Sequence, residues 1–149
     1  MQKFDLTHED HELITAAVEA VKQPVLQIYN EKAPALVGAA LRLENGKVFT
    51  ALNLIADVGS ISMCAEPQAI AHANRFPEHK ITTIVSVYYQ KGREPMVIPP
   101  CGRCREVITD FSQGYVIMRD PGTNTHYKVK AIDLLPYKYG EYWNGDTLI

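Results

Sequence analysis

The chain contains three cysteines, and all of them fall in two short motifs, Cys64-Ala65-Glu66 and Pro100-Cys101-Gly102-Arg103-Cys104. A fold that uses this sequence must bring the two segments together, because a tetrahedral catalytic zinc takes three protein ligands and leaves its fourth position to water. Cys101 and Cys104 form a Cys-x-x-Cys pair, a spacing at which one tight turn presents two sulfurs to one metal. Gly102 between them admits close or left-handed backbone geometry. The third sulfur, Cys64, is followed two positions later by Glu66, a carboxylate placed to act as general base on a metal-activated water rather than as a ligand.

Both motifs read as helix starts. The run from Cys64 to Ala73 is Ala-rich and carries Pro67 in its first turn, where a missing N–H costs nothing. The run from Cys101 to Phe111 follows Pro99-Pro100 and places Val107, Ile108 and Phe111 at helical spacing. Two helix N-termini would then point at one metal. Three thiolates around Zn²⁺ carry a formal charge of −1, which weakens the ion as a Lewis acid. The helix dipoles offset this by about 0.3–1 kcal/mol each, and Arg103 and Arg105 are candidate donors to sulfur around the site.

Other readings of the same residues stay open. A Cys-x-x-Cys pair also occurs in redox motifs, and His72 or His126 would complete a closed structural zinc knuckle. A disulfide between two of the thiols would strand the third. No apolar leader opens the sequence, so reduced thiols and a cytoplasmic location are expected. Glu66 taken alone is an ordinary helix-start carboxylate, and His72 alone is an ordinary packed or surface histidine.

The remaining sequence reads as one domain over 1–149. It is 46% hydrophobic, long enough to bury a core, and free of linkers, repeats or low-complexity stretches. Fifteen basic residues against 17 acidic ones leave a net charge of −2, so no cationic field exists to gather the phosphates of a nucleic acid. No apolar run approaches the roughly 20 residues that cross a bilayer, so a soluble protein without a membrane partner is expected.

Thr7, with Asp10 three residues on, opens a helix whose face is Leu13, Ile14, Ala17, Val18 and Val21, ending or kinking at Pro24. Leu36 to Leu43 and Lys47 to Leu52 read as strands around Asn45-Gly46, a strong hairpin signal. The Cys64 helix, a β-branched strand from Ile81 to Tyr88, the Cys101 helix, a strand from Tyr115 to Met118, a turn at Asp120-Pro121-Gly122 and a strand near Thr125 to Val129 follow. Strands alternating with helices predict an α/β fold, a three-layer α-β-α sandwich around a mixed sheet of about five strands.

Cys64-Ala65-Glu66 with Pro100-Cys101-Gly102-Arg103-Cys104-Arg105 resembles the zinc-dependent cytidine deaminase superfamily, whose pattern is His- or Cys-x-Glu followed by Pro-Cys-x-x-Cys. Cys in the first position is similar to the small tetrameric cytidine deaminases and to the blasticidin S deaminases. The resemblance runs from about Val37 to Pro136. It implies the cytidine deaminase-like fold, with Cys64, Cys101 and Cys104 as ligands of one zinc per chain and Glu66 as the catalytic acid/base. It also implies Asn53 and Ala65 on the substrate side, a homotetramer, and hydrolytic deamination of a free cytosine nucleoside with release of ammonia. Two positions depart from the cytidine deaminases. Where they place Asn-x-Glu on the ribose, this chain has Asn53-Leu54-Ile55, and where they place Arg it has Pro67. Both departures resemble the blasticidin S deaminases and imply a nucleoside antibiotic of that kind as substrate. An ordinary cytidine or deoxycytidine deaminase and a non-catalytic zinc-binding member of the fold are the alternatives.

The segment from Tyr137 to Trp143 holds four aromatics, and Tyr142 and Trp143 are candidates to close a planar base pocket by stacking; packing on the chain's own body serves equally. Ile61 and Met63, just before Cys64, are candidates for an interface or a pocket wall.

Overall fold

Helix α1 (His8–Lys22) starts where the sequence predicts: the Thr7 N–H donates to the Asp10 carboxylate at 3.0 Å, the reciprocal half of a capping box. Its Leu13, Ala17 and Val21 are buried, and Ile14 and Val18 pack at their margin. A computed structural model describes residues 1–23 and 36–139 of the chain, so Pro24 lies outside the described residues.

The hairpin of β1 (Leu36–Leu43) and β2 (Val48–Leu52) closes at Gly46, whose φ of 85° lies in the left-handed region that glycine tolerates. Lys47, predicted to begin the second strand, instead has its N–H held by Asn45 Oδ1 in the turn. Helix α2 (Ala65–Ala73), strands β3 (Ile81–Tyr89) and β4 (Met96–Ile98), helix α3 (Gly102–Phe111), and strands β5 (Tyr115–Arg119) and β6 (His126–Lys130) follow.

The sheet is mixed and has six strands in the order β2-β1-β3-β5-β6, with β4 also pairing β3. Five strands agree with the sequence reading within a residue or two; β4 is an addition. It has only three residues between Pro95 and Pro99, too short for a periodic signal. β3 runs antiparallel to β1 and β4 and parallel to β5, so one edge of β3 is shared: Thr83 and Ile84 pair with β5, Ser86 to Tyr88 with β4.

Helix α1 covers one face through Leu13, Ala17 and Val21 against Ala40, Val85, Val87 and Ile117. Fully burying Leu13 or Val21 stabilises by about 1.5–3 kcal/mol each. Gly38 permits this closeness, since a Cβ there would meet Val21 Cγ1 at 2.5 Å. Helices α2 and α3 cover the other face, where Ala69, Ile70, Cys104 and Ile108 pack on Ala39, Leu41, Ile84 and Val116. This is the predicted three-layer arrangement, and it sets the start of α2 beside the start of α3. Among the described residues, no helix is long and apolar enough to cross a membrane.

Candidate active site

The two cysteine motifs meet at helix ends. Cys64 is the N-cap of α2 and Cys101 the N-cap of α3, while Cys104 lies on the first turn of α3. Extended backbone at both caps, φ −67° and −66°, turns each chain sharply into its helix. The tie holding α2 in place comes from Gln68, whose side-chain amide donates to Leu52 O at 2.6 Å and to Cys64 O at 3.2 Å. The following loop is pinned by a two-way backbone bridge between Leu54 and Met63, 2.9 Å in each direction.

The three sulfurs lie within 4.8 Å of one another, and Cys64 Sγ and Cys101 Sγ are 4.0 Å apart. Tetrahedral zinc with Zn–S near 2.3 Å requires sulfurs about 3.8 Å apart, so this donor set fits the ion with little movement. All three cysteines are free rather than disulfide-bonded. Neither His72 nor His126 joins the cluster among the described residues, so it presents three ligands and an open side. Burial pushes the Cys104 thiol far up, with the nearby Glu66 charge adding to it, and burial also raises Cys64. At Cys101 burial acts the same way, but the Cys104 backbone N–H and the neighbouring thiols outweigh it and lower the thiol below its ordinary value.

Glu66 is buried at the second position of α2. Its Oε1 accepts from the Ser86 hydroxyl at 2.9 Å, and its Oε2 lies 3.3 Å from Cys104 Sγ. No cationic side chain pairs with it among the described residues. Cys64, Glu66 and Cys101 open on a cavity of about 260 Å³ walled by Val37, Ile55, Met63 and Ile98, with Asn53 and Ser62 as its other polar groups. A larger cleft of about 650 Å³, near the start of β3 between Arg42, Lys80 and Tyr115, contains none of the thiols.

Several expected contacts are absent. Arg105 does not reach sulfur: its Nε donates to Pro100 O at 2.9 Å and an Nη to Leu134 O at 3.3 Å. One residue past Cys104 is about 100° around the helix, which turns Arg105 toward the segment after β6. Arg103 is exposed, and its side chain makes no hydrogen bond among the described residues. The Ala65 side chain is fully buried in the core behind the cavity rather than in its wall. Met63 lines the cavity while Ile61 is exposed beside it. Tyr142 and Trp143 lie outside the described residues. Ser86 was missed by the sequence reading, although a lone hydroxyl within the buried run Ile84-Val85-Ser86-Val87 signals an internal partner.

The family model for the cytidine and deoxycytidylate deaminase zinc-binding region matches residues 7–119, which include all three thiols, Glu66 and Ser86. The chain belongs to this family. It is a zinc-dependent deaminase. The blasticidin-S deaminase of Bacillus cereus is 29% identical to it over 143 residues, covering 93% of this chain and 98% of that one. A probable cytidine deaminase of Dictyostelium discoideum is 32% identical, over 67% of the deaminase and 65% of its own length. The crystal structure of a cytidine deaminase from Burkholderia pseudomallei superposes with a TM-score of 0.69 at 29% identity, over 90% of the deaminase and 100% of that chain. The mixed sheet and the placing of its helices are thus shared with solved deaminases.

Proposed function

We propose that the deaminase hydrolyses the exocyclic amine of a cytosine ring carried by a free nucleoside or a blasticidin S-like nucleoside antibiotic, releasing ammonia. Cys64, Cys101 and Cys104 hold one zinc per chain, and Glu66 moves the protons. The observation that carries this reading is a buried carboxylate with no cationic partner among the described residues, set beside three clustered thiols that open, through Cys64 and Cys101, on a largely apolar cavity. A structural zinc site has no use for such a group, which argues against a non-catalytic member of the fold.

When bound, zinc supplies a water acidic enough to attack near neutral pH. Glu66 takes the proton as that water adds to C4 of the ring, delivers it to N3, and then carries the second proton to the departing ammonia. As a metal ligand Cys104 has no proton to donate, so Oε2, the oxygen turned toward the cluster, is the one left for this transfer. Val37, Ile98 and Pro99 give the flat ring apolar walls.

The outer cavity supports a modified sugar. Asn53 Oδ1 accepts the Val37 N–H at 2.8 Å, which leaves its NH₂ as the group available to a ligand. Ser62 Oγ accepts the Ala56 N–H at 3.0 Å and keeps its hydroxyl proton to donate. Ile55 offers nothing to a sugar hydroxyl. A buried ribose hydroxyl that needs an acceptor loses about 1–3 kcal/mol here, whereas a sugar edge presenting acceptors or apolar surface loses little. Cytidine or deoxycytidine is the second reading, favoured by the retained Asn53 amide and by the cytidine deaminases among the relatives.

Leu54 and Met63 line the cavity and are exposed, as are the nearby-in-sequence Val58 and Ile61, and this apolar exposure supports assembly through this face, in the homotetramer the resemblance implies. We place the protein in the cytoplasm, where thiols stay reduced, with small molecules and not nucleic acid as its substrates. Ammonia release measured across cytidine, deoxycytidine, cytosine and blasticidin S tests the reading. Blasticidin S is expected to give the highest kcat/KM; a wild type that favours cytidine overturns the substrate choice. Tight binding of a cytosine compound with no ammonia from any of them overturns the catalytic reading.

A further inference from the structure

Strand β3 is buried along both faces between Ile84 and Val87, and within that stretch Ser86 is the one polar side chain. It is 1% exposed, does not line the cavity, and spends its single proton on Glu66 Oε1 at 2.9 Å. A hydroxyl in the middle of an apolar strand costs stability unless it is satisfied, and here the group that satisfies it is the carboxylate at the thiol cluster. Glu66 itself has three side-chain torsions and, among the described residues and with Ser86 aside, its carboxylate is hydrogen-bonded only by the Cys104 thiol. A carboxylate held at one oxygen by a rigid central strand has one orientation, and its second oxygen then has one address, 3.3 Å from Cys104 Sγ.

We infer that Ser86 is a positioning residue that fixes the Glu66 carboxylate and assigns Oε2 as the proton-carrying oxygen. The inference rests on the reading of Glu66 as the proton carrier. Its physical basis is geometric: the oxygen that accepts the buried hydroxyl is occupied and fixed, while the other, on the side of the thiol cluster, is held in one place and left free for the transfer.

The test uses the zinc-loaded protein and whichever of cytidine and blasticidin S the wild type deaminates faster. Ser86→Ala removes the donor without adding volume. It is expected to lower kcat by about 10- to 100-fold while KM stays within about threefold and zinc content is unchanged, because misplacement near the chemistry is costly while the cavity wall is untouched. Ser86→Thr, which keeps the hydroxyl, is expected to recover most of that loss. A Ser86→Ala protein with wild-type kcat overturns the inference, as does one that loses zinc in proportion to activity, which marks a merely structural role. An active wild type with an inactive Glu66→Gln and an unaffected Ser86→Ala removes only the role of Ser86. A wild type that releases no ammonia from either compound removes both readings.

Discussion

Two carboxylates are buried among the described residues, and their surroundings differ in kind. Asp10, on α1, is fully enclosed and takes Arg42 on one oxygen at 2.8 Å and Lys128 together with the Thr7 N–H on the other. Glu66, on α2, is 3% exposed and has a serine hydroxyl and a thiol. Burial alone raises a carboxyl, yet at Asp10 the Lys128 ammonium, the Thr7 N–H and the Arg42 guanidinium more than reverse it and hold the group below its ordinary range. Asp10 is committed to one charge state and ties α1 to β1 and β6. Among the described residues the Glu66 carboxylate has only neutral hydrogen-bond partners, a hydroxyl and a thiol. On the proposed reading, the difference separates a buried acid that holds a fold together from one that does chemistry.

The largest effect expected from breaking the contrast lies at the metal. Cys101→Ser or Cys104→Ser should leave protein with little zinc and no measurable deamination, together with a lowered melting temperature, because metal affinity at a thiolate site is partly folding energy. Metal analysis beside an ammonia assay checks this, and full activity in metal-free protein would contradict it.

Asp10→Asn comes next. It leaves Arg42 and Lys128, both mostly buried, without their counter-charge and should cost about 3–5 kcal/mol of stability, with kcat in the surviving folded protein within a few-fold of wild type. The sign with pH follows from the lowered Asp10 value. Its contribution is present above the unfolded carboxyl value near 4 and disappears as pH falls through the lower folded value, so wild-type stability should drop in that acid window. Urea titrations between pH 3 and 7 should show a shallower dependence in Asp10→Asn.

A smaller effect sharpens the substrate side. Ile55→Glu adds an acceptor at the cavity mouth and should move the cytidine to blasticidin S ratio of kcat/KM toward cytidine by about 10- to 150-fold. An unchanged ratio would mean that the sugar is held elsewhere.

What could be read in the sequence was local. Thr7 and Asp10 announce the start of α1, Asn45-Gly46 the hairpin, and the prolines before Cys101 and after Cys64 the two helices that carry the thiols. The site could be read because its chemistry demands rare residues at fixed spacing. The parts that were missed depend on contacts between distant positions: Asp10 with Lys128 is a pairing 118 residues apart, and Glu66 with Ser86 joins a helix to a strand. Asp10 was legible as a cap but not as the centre of an ion cluster. Arg105 looked like a partner for sulfur by sequence proximity, and the helical turn carries it to Pro100 and Leu134 instead.

The most direct test of the contrast is Glu66→Gln assayed beside wild type for zinc content, melting temperature and ammonia release. The amide is near-isosteric and still accepts from Ser86 but cannot shuttle protons, so turnover should fall by about 10²- to 10⁴-fold with zinc and melting temperature close to wild type. A Glu66→Gln protein that deaminates at the wild-type rate, or that loses its zinc and its fold instead of its turnover, would contradict the account.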